Sequence, residues 1–214
     1  METHLRLTAT DRKDSYGLVP LRLALMDPSG RELDNLLACS GQPYRQAFRA
    51  AANSQAGSME PLGEGVYNIS KAFWCGSPGD YETCYAAGLG PVVFDLDCRT
   101  HTGRGDLRVH QDGNRKLAPG TAGCVGLLNE VDLREFVAWM SEAGAPTRLV
   151  VDWSLGTIPR PEPAPLRVVD AASGKEIPCH PILVKGRTMV ELRAFVEAMQ
   201  GTVEIDGGTI RVSV

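Results

Sequence analysis

The amino-acid sequence predicts a mainly β protein with few helices, followed by a small α+β domain at its C-terminal end. Glycine accounts for 23 of the 214 residues, and turns such as PSG at 28–30 and DGG at 206–208 separate short β-branched runs. The segment 157–166 holds four prolines in ten positions, a composition that favours an extended connection. We therefore expect one domain over residues 1–156, a linker over 157–166 and a second domain over 167–214.

Seven segments of the first domain have the apolar runs or the period-two alternation of strands. In chain order they are 18–26, 33–39, 63–70, 91–97, 106–110, 122–128 and 147–153. The turn DPSG joins the first two, alternation marks the third, and the sixth is a short apolar run typical of a buried strand. The polar segment 40–60 is predicted as loop, with at most a short helix at 44–52.

One helix is predicted between the last two of these strands. Asn129 precedes it as the N-cap, Asp132 occupies the third helical position, and Gly144 follows its end. The apolar residues at helical spacing are Leu133, Phe136, Val137 and Met140.

The second domain repeats strand and helix signals on a smaller scale. Its predicted strands are 166–170, 182–186, 202–206 and 209–214, and its predicted helix covers 188–201. Thr188 and Glu191 form a capping box at the start of this helix, and Gly201 follows its end.

Composition and charge argue against two classes of partner. The formal net charge is -4 and no basic block stands out, so a nucleic-acid partner is not expected. The first residues contain no apolar run of signal-peptide length, and no segment approaches 18 uninterrupted apolar residues. We expect a soluble chain without membrane insertion, made in the cytoplasm.

The cysteines and histidines do not have the spacing of a metal site. The sequence has six cysteines (39, 75, 84, 98, 124 and 179) and four histidines (4, 101, 110 and 180), with no CxxC pair. We expect neither a metal nor another cofactor. Cys75 and Cys84 can pair in an oxidising setting, but their spacing leaves that open.

The most informative stretch is HQDGNRKLAPGTAGCVGL, residues 110–127, which begins with His110 and contains Cys124. If 106–110 and 122–128 are neighbouring strands, the intervening loop returns and brings the imidazole within reach of the thiol. The histidine would then take the proton of a cysteine nucleophile. Gly123 would let a substrate carbonyl approach, with its N–H and that of Cys124 as oxyanion donors. The alternative is a buried thiol beside a loop-edge histidine.

Cations near this pair are candidates for holding a substrate carboxylate. Arg115 and Lys116 lie on the loop that follows His110, and Arg108 lies on its strand. Arg45 and Arg49 lie in the polar segment 40–60, either over the cleft or in contact with solvent.

The same region resembles the L,D-transpeptidase (YkuD-like) family of bacterial cell-wall enzymes. That family has a histidine, a variable loop and a Ser/Thr-His-Gly-Cys box, and here thirteen residues separate His110 from Cys124, with Thr121 and Gly123 also matching. Upstream, EPLGEGVYNIS and LGPVVFDLD resemble the family's earlier strands. The matching positions in the first of these segments are Pro61, Gly65, Tyr67 and Ile69. The likeness spans roughly residues 18–155.

This resemblance implies a β-sandwich or barrel domain with a cysteine acyl-enzyme mechanism. Cys124 would attack a carbonyl of a peptidoglycan stem peptide with His110 as the base, and the backbone near Gln111 would orient the imidazole. Thr121 and Gln111 complete the expected substrate-binding set. The acyl group would pass to an amine or to water. A catalytic thiol is expected to have a lowered pKa and to alkylate rapidly near neutral pH.

Two departures from the family pattern separate this chain from typical cross-linking enzymes. Ala122 replaces the box histidine, and Gly126 replaces an Arg or Asn. GTAGCVGL is closer to divergent phage and cyanobacterial branches, and a lytic, endolysin-like peptidase released to the cell wall by another route fits this pattern. The alternative is a wall-binding or structural protein that retains the fold without the chemistry.

The C-terminal segment has a resemblance of its own. Residues 180–214 are similar to the small N-terminal domain of some copper amine oxidases, which also occurs in bacterial surface proteins. The matching positions are Gly186, Arg187, Thr188, Leu192 and Arg193. The resemblance implies an accessory or wall-associated module, without copper.

Overall fold

A computed structural model of the chain describes residues 2–98 and 103–158 in full, and the backbone of six strands between 167 and 213. The chain divides into two compact units, residues 1–158 and 159–214. The division falls inside the Pro-rich segment 157–166.

Nine strands and one α-helix make up the described part of the first unit. The strands are β1 (His4–Ala9), β2 (Leu21–Met26), β3 (Glu32–Cys39), β4 (Gly65–Ile69), β5 (Phe73–Trp74), β6 (Val92–Cys98), β7 (Leu107–Gln111), β8 (Val125–Leu127) and β9 (Arg148–Asp152). The helix is α1 (Glu130–Ser141). The prediction of a mainly β protein is confirmed.

Eight of these strands close into a barrel. Their order is β4-β9-β1-β2-β3-β8-β7-β6, pairing between β4 and β6 completes the circle, and β5 adds to β6. Most neighbours are antiparallel, but β1 with β9 and β7 with β8 are parallel. The pairing of β1 with β9 joins strands from opposite ends of the unit's sequence. It is the pair of neighbouring strands with the longest sequence separation in the barrel.

Alternating side chains fill the barrel interior. Leu5, Leu7, Phe94 and Val109 are among the fully buried core residues, and polar neighbours on the same strands face outward. The helix α1 packs against this core through Phe136, whose ring lies edge-on to Phe94 with centroids 5.0 Å apart.

The structure confirms the predicted start of α1. The Asn129 side chain accepts a hydrogen bond from the Asp132 backbone amide at 2.9 Å. The helix ends at Ser141, three residues before the predicted Gly144. Trp139 is buried, whereas Val137 and Met140 of the predicted stripe are only partly buried against the core.

Two features of the first unit differ from the sequence prediction, and the segment 40–60 agrees with it. The strands β1 and β5 were not predicted, although Leu5 and Leu7 alternate with polar residues. The strand β2 begins at Leu21, because Leu18 belongs to a turn in which its amide bonds to Asp14. The segment 40–60 is loop, as predicted, and its helical part is a single 3-10 turn at Ala51–Asn53. A left-handed residue, Tyr44 with φ 64°, opens 44–52 and breaks helical geometry.

The pair Cys75 and Cys84 is joined by a disulfide. Between them, Tyr81 packs edge-on against Trp74, with ring centroids 5.1 Å apart. Among the described residues, no helix has the length and apolar content needed to cross a membrane.

The described strands of the second unit are β10 (Arg167–Asp170), β11 (Glu176–Ile177), β12 (Ile182–Val184), β13 (Arg187–Met189), β14 (Thr202–Asp206) and β15 (Thr209–Ser213). A four-stranded sheet has the order β11-β10-β15-β14, and β12 pairs with β13. Each of the four predicted strands overlaps one of these. Thr188 and Met189, at the start of the predicted helix, lie in β13, and residues 190–201 fall outside the described residues.

Candidate active site

The strand β7 ends in His110–Gln111, and Cys124 directly precedes its parallel neighbour β8. Val109 pairs with Val125, and both face the core. Because side chains alternate along a strand, His110 lies on the opposite, outer face of β7, and extending the alternation of β8 back by one residue puts Cys124 on that face too. His110 pairs with Gly126, two residues beyond Cys124, so strand spacings put the two Cα atoms about 8 Å apart.

The His110 imidazole is buried and held in one orientation. Its Nδ1 lies 2.7 Å from the Gln111 carbonyl oxygen. A carbonyl only accepts hydrogen bonds, so Nδ1 carries the proton and Nε2 is left as the acceptor. Burial lowers the pKa of His110, against the raising effects of the Gln111 bond and of Asp112. The side chain is therefore a neutral imidazole near pH 7.

The Cys124 thiol is half-buried and lies over the beginning of β7. Its Sγ donates to the Asp106 carbonyl oxygen at 3.8 Å. Burial raises the pKa of Cys124, although the Arg108 backbone amide and the charges of Arg108 and Arg104 lower it. This direction is opposite to the lowered pKa expected from the sequence. Within the described residues, no hydrogen bond joins the thiol to His110.

Alkylation of Cys124 is therefore expected to be slow at pH 7 and to accelerate through and beyond pH 8.5, the ordinary thiol pKa being about 8.5. The iodoacetamide rate, followed by peptide mass spectrometry at each pH, measures this directly. Cys39 is fully buried and is expected to stay unmodified in the folded protein. A rate that levels off below pH 8 would contradict the protonated resting thiol.

The turn that presents Cys124 is braced by hydroxyl groups. Thr121 Oγ1 accepts from the Gly123 amide at 3.2 Å and donates to the Cys124 carbonyl at 2.6 Å. The hydroxyl of Ser40 donates to the Gly123 carbonyl at 3.3 Å. The Gly123 amide, predicted as an oxyanion donor, is thus already engaged with Thr121, and Thr121 is buried behind the turn.

Arg104 is a buried residue of this site that sequence reasoning missed. Its Nη1 donates to Ser54 Oγ at 3.1 Å, and it also bonds to two carbonyls of the neighbouring loop, those of Glu60 and Pro61. Its Nη2 donates to the Ala122 carbonyl. One guanidinium therefore ties the cysteine turn to segment 54–61. In the sequence Arg104 stands in a Gly-rich turn, where an exposed side chain is the usual expectation.

Gly123 is required because of this guanidinium. Its φ is +115°, a value that L residues rarely adopt, and a Cβ would coincide with the Arg104 guanidinium. We expect Gly123→Ala to destabilise the unit by about 2 kcal/mol or more, and urea unfolding measures this. Gly144→Ala, at φ +84° with nothing within 4 Å, is the matched control for backbone strain alone. Equal losses in both variants would contradict the packing argument.

Two of the three predicted substrate cations are paired within the protein. Arg108 Nε donates to Asp95 Oδ1 at 2.8 Å. Arg115 bonds to Asp14 and, at 3.2 Å, to the buried Asp112. Lys116 is exposed and has no ion-pair partner in the part of the chain that the structure describes. Arg108 lies beside the thiol, whereas Arg115 stabilises its own loop.

Of the two departures from the box, the structure gives a reason for Gly126 and none for Ala122. Ala122 is exposed, and its carbonyl is the one that Arg104 binds. At Gly126, a Cβ would lie 2.9 Å from both Cys39 Sγ and Thr121 Cγ2. The space that an Arg or Asn would need at Gly126 is therefore filled.

Residues 2–98 and 103–158 contain no group of three His, Cys, Asp or Glu side chains placed to hold a metal ion. Tyr67, which matches the family strand, is fully buried and donates from its hydroxyl to the Gly63 carbonyl at 2.8 Å. Comparison of the chain with protein-family models, with curated proteins and with solved structures gives no match.

Proposed function

We propose that the first unit is a divergent L,D-transpeptidase-like (YkuD-like) domain that modifies peptidoglycan through an acyl-enzyme on Cys124. The observation that carries the proposal is the parallel pairing of β7 with β8, in which His110 lies opposite Gly126, two residues beyond Cys124. The imidazole is held in the tautomer whose Nε2 can accept a proton. The peptidoglycan substrate rests on the resemblance of residues 18–155 to that family.

The resting pair is a neutral thiol and a neutral imidazole, since burial raises the pKa of Cys124 and lowers that of His110. In the proposed reaction, His110 Nε2 takes the thiol proton as Sγ attacks the stem-peptide carbonyl carbon. The tetrahedral intermediate expels the amine, which takes the proton from His110 and leaves a thioester on Cys124. Water or a second amine then attacks the thioester carbonyl and restores the thiol.

The pH dependence of this reaction follows from His110. Its folded pKa lies below the ordinary imidazole value of about 6.5, because burial disfavours the charged form. Base catalysis needs the neutral imidazole, so activity is present at neutral pH and is lost as the pH falls. We expect the acid limb of kcat/KM to lie below pH 6.5. An acid limb above pH 7 would contradict this role for His110.

The direct test incubates the protein with sacculi and with isolated muropeptides and identifies the products by mass spectrometry. The parent protein is expected to release shortened peptides or to form new cross-links, whereas Cys124→Ala forms neither. Shortened peptides would assign hydrolysis, to which the endolysin-like pattern points, and cross-links would assign transpeptidation. Activity retained by Cys124→Ala would refute the mechanism.

A second candidate function is a wall-binding protein without chemistry. The raised pKa of Cys124 and the internal pairing of Arg108 and Arg115 favour it. In that case the parent and Cys124→Ala would sediment equally with sacculi and leave every muropeptide unchanged. For either function the second unit is proposed as an accessory, wall-associated module.

A further inference from the structure

We propose that a cleft beside the cysteine turn binds a carboxylate of the substrate through Lys13 and Arg45. The inference deepens the proposed function and rests on it for the identity of the substrate. The cleft has a volume of about 340 Å³, within the range of small-ligand sites. Its walls come from segments 13–19, 44–47 and 58–60.

The charge of the cleft favours an anion. Lys13 and Arg45 line it, and neither has an ion-pair partner among residues 2–98 and 103–158. The acidic residue in the lining, Glu60, is compensated because its carboxylate accepts from Arg49 Nε at 3.0 and 3.1 Å. Two positive charges are thus left uncompensated in one concave site, and a carboxylate is the group that they would bind.

The walls of the cleft are held in place by hydrogen bonds. The Gln46 amide accepts from the Val19 backbone N–H at 2.6 Å and donates to the Val19 and Ser40 carbonyls at 3.1 and 3.0 Å. The backbone N–H of Gln42 donates to the Met59 carbonyl at 3.0 Å, and this bond joins the wall formed by 44–47 to the wall formed by 58–60. A site whose walls are already bonded loses little conformational entropy when a ligand enters.

The cleft is connected to the cysteine turn through one side chain. Arg104 donates from Nη1 to the Glu60 carbonyl, in the cleft wall, and from Nη2 to the Ala122 carbonyl, two residues before Cys124. Gly41, next to the Gln42–Met59 bond, accepts from the Thr121 amide at 3.0 Å. An extended peptide advances about 3.3–3.6 Å per residue. We infer that a stem peptide with its carbonyl at Cys124 extends along this side of the unit and places a carboxylate in the cleft.

The test measures binding without turnover, by calorimetry on the Cys124→Ala protein. The probes are a muropeptide tetrapeptide with free carboxylates and the same peptide with its carboxylates amidated. We expect the free acid to bind at least about ten-fold more tightly. Lys13→Met with Arg45→Met should remove this preference, while Lys13→Arg with Arg45→Lys should keep most of it.

Two single variants act as controls. Lys71→Met removes an exposed charge outside the cleft and should leave the preference unchanged, and Lys116→Met tests the other cation without an ion-pair partner. Equal affinity for the two probes, no binding of either, or a loss with Lys116→Met in place of the cleft variants would overturn the inference. Because the readout is binding, a carboxylate preference in Cys124→Ala together with no turnover by the parent protein would keep the subsite and reject the proposed chemistry. Turnover without a preference would do the reverse.

Discussion

Replacing Arg104 with methionine is expected to destabilise the first unit by about 3 kcal/mol or more and to release the cysteine turn. The substitution keeps an unbranched apolar stem but leaves the carbonyls of Glu60, Pro61 and Ala122 without their donor. A buried acceptor left unsatisfied costs about 1–3 kcal/mol. A domain of this size is stable by only about 5–15 kcal/mol, so the loss is a large share of the total.

Urea unfolding of the parent and variant measures this loss. The matched control is Arg31→Met, since Arg31 is an exposed arginine whose ion pair with Asp27 lies on a turn. Its loss is expected to be about 1 kcal/mol or less. At urea concentrations below its unfolding midpoint, Arg104→Met should also be alkylated faster at Cys124 than the parent, because the cysteine turn is no longer tied to segment 54–61. Equal stability of Arg104→Met and Arg31→Met would show that the buried network does not stabilise the fold.

Replacing Glu64 is expected to release the segment that follows β9. The Glu64 carboxylate is buried and accepts from three backbone amides, those of Trp153, Leu155 and Thr157, at 2.8–2.9 Å. The Thr157 hydroxyl donates to it as well, at 2.6 Å. Glu64→Ala would leave these donors unpaired at a cost of about 2–4 kcal/mol. Thermal unfolding measures the loss, and Glu142→Ala, on the exposed end of α1, is the control.

The pH dependence of stability provides a second readout for Glu64. Burial raises the pKa of this carboxyl, but the bonds from Thr157, Leu155 and Trp153 outweigh it, and the folded pKa lies below the ordinary value. The stabilisation that the ionised Glu64 carboxylate contributes to the folded state is therefore complete above the unfolded pKa of about 4.3. It is lost as the pH falls through the folded pKa. The parent and Glu64→Ala should differ most near pH 7 and converge in acid. A difference that stays constant from pH 7 to pH 3 would contradict this assignment.

Local patterns in the sequence predicted most of the strands and the helix. The alternation in β4 and the N-cap at Asn129 are local signals that depend on neighbours along the chain, so they could be found without the structure. The adjacency of β7 and β8 is the condition on which the His110–Cys124 hypothesis depends, and the structure has it. Their parallel pairing, and that of β1 with β9, depend on contacts between distant segments, and no local pattern reports such contacts.

The reactive side chains of the candidate site could be predicted from the sequence, but the buried charged residues that hold its backbone in place could not. His110 and Cys124 stand out as residue types. Arg104 and Glu64 do not, because charged residues are seldom buried and their partners lie 18 to 93 residues away in the chain. The ion pair of Arg115 with Asp14 likewise joins residues far apart in the chain, so the sequence does not indicate it.

We propose that Cys124 carries the acyl group. Intact-protein mass spectrometry after an acid quench tests this acylation directly. The protein is mixed with a muropeptide tetrapeptide and the reaction is quenched within seconds. The intact mass of the protein is then measured, and the modified residue is located in a peptide digest. We expect an added mass equal to the stem-peptide acyl group on Cys124, absent from Cys124→Ser and formed more slowly by His110→Ala. Turnover of the tetrapeptide with no mass added to Cys124 would contradict the proposal. So would a digest in which the Cys124 peptide of the folded parent protein is unmodified.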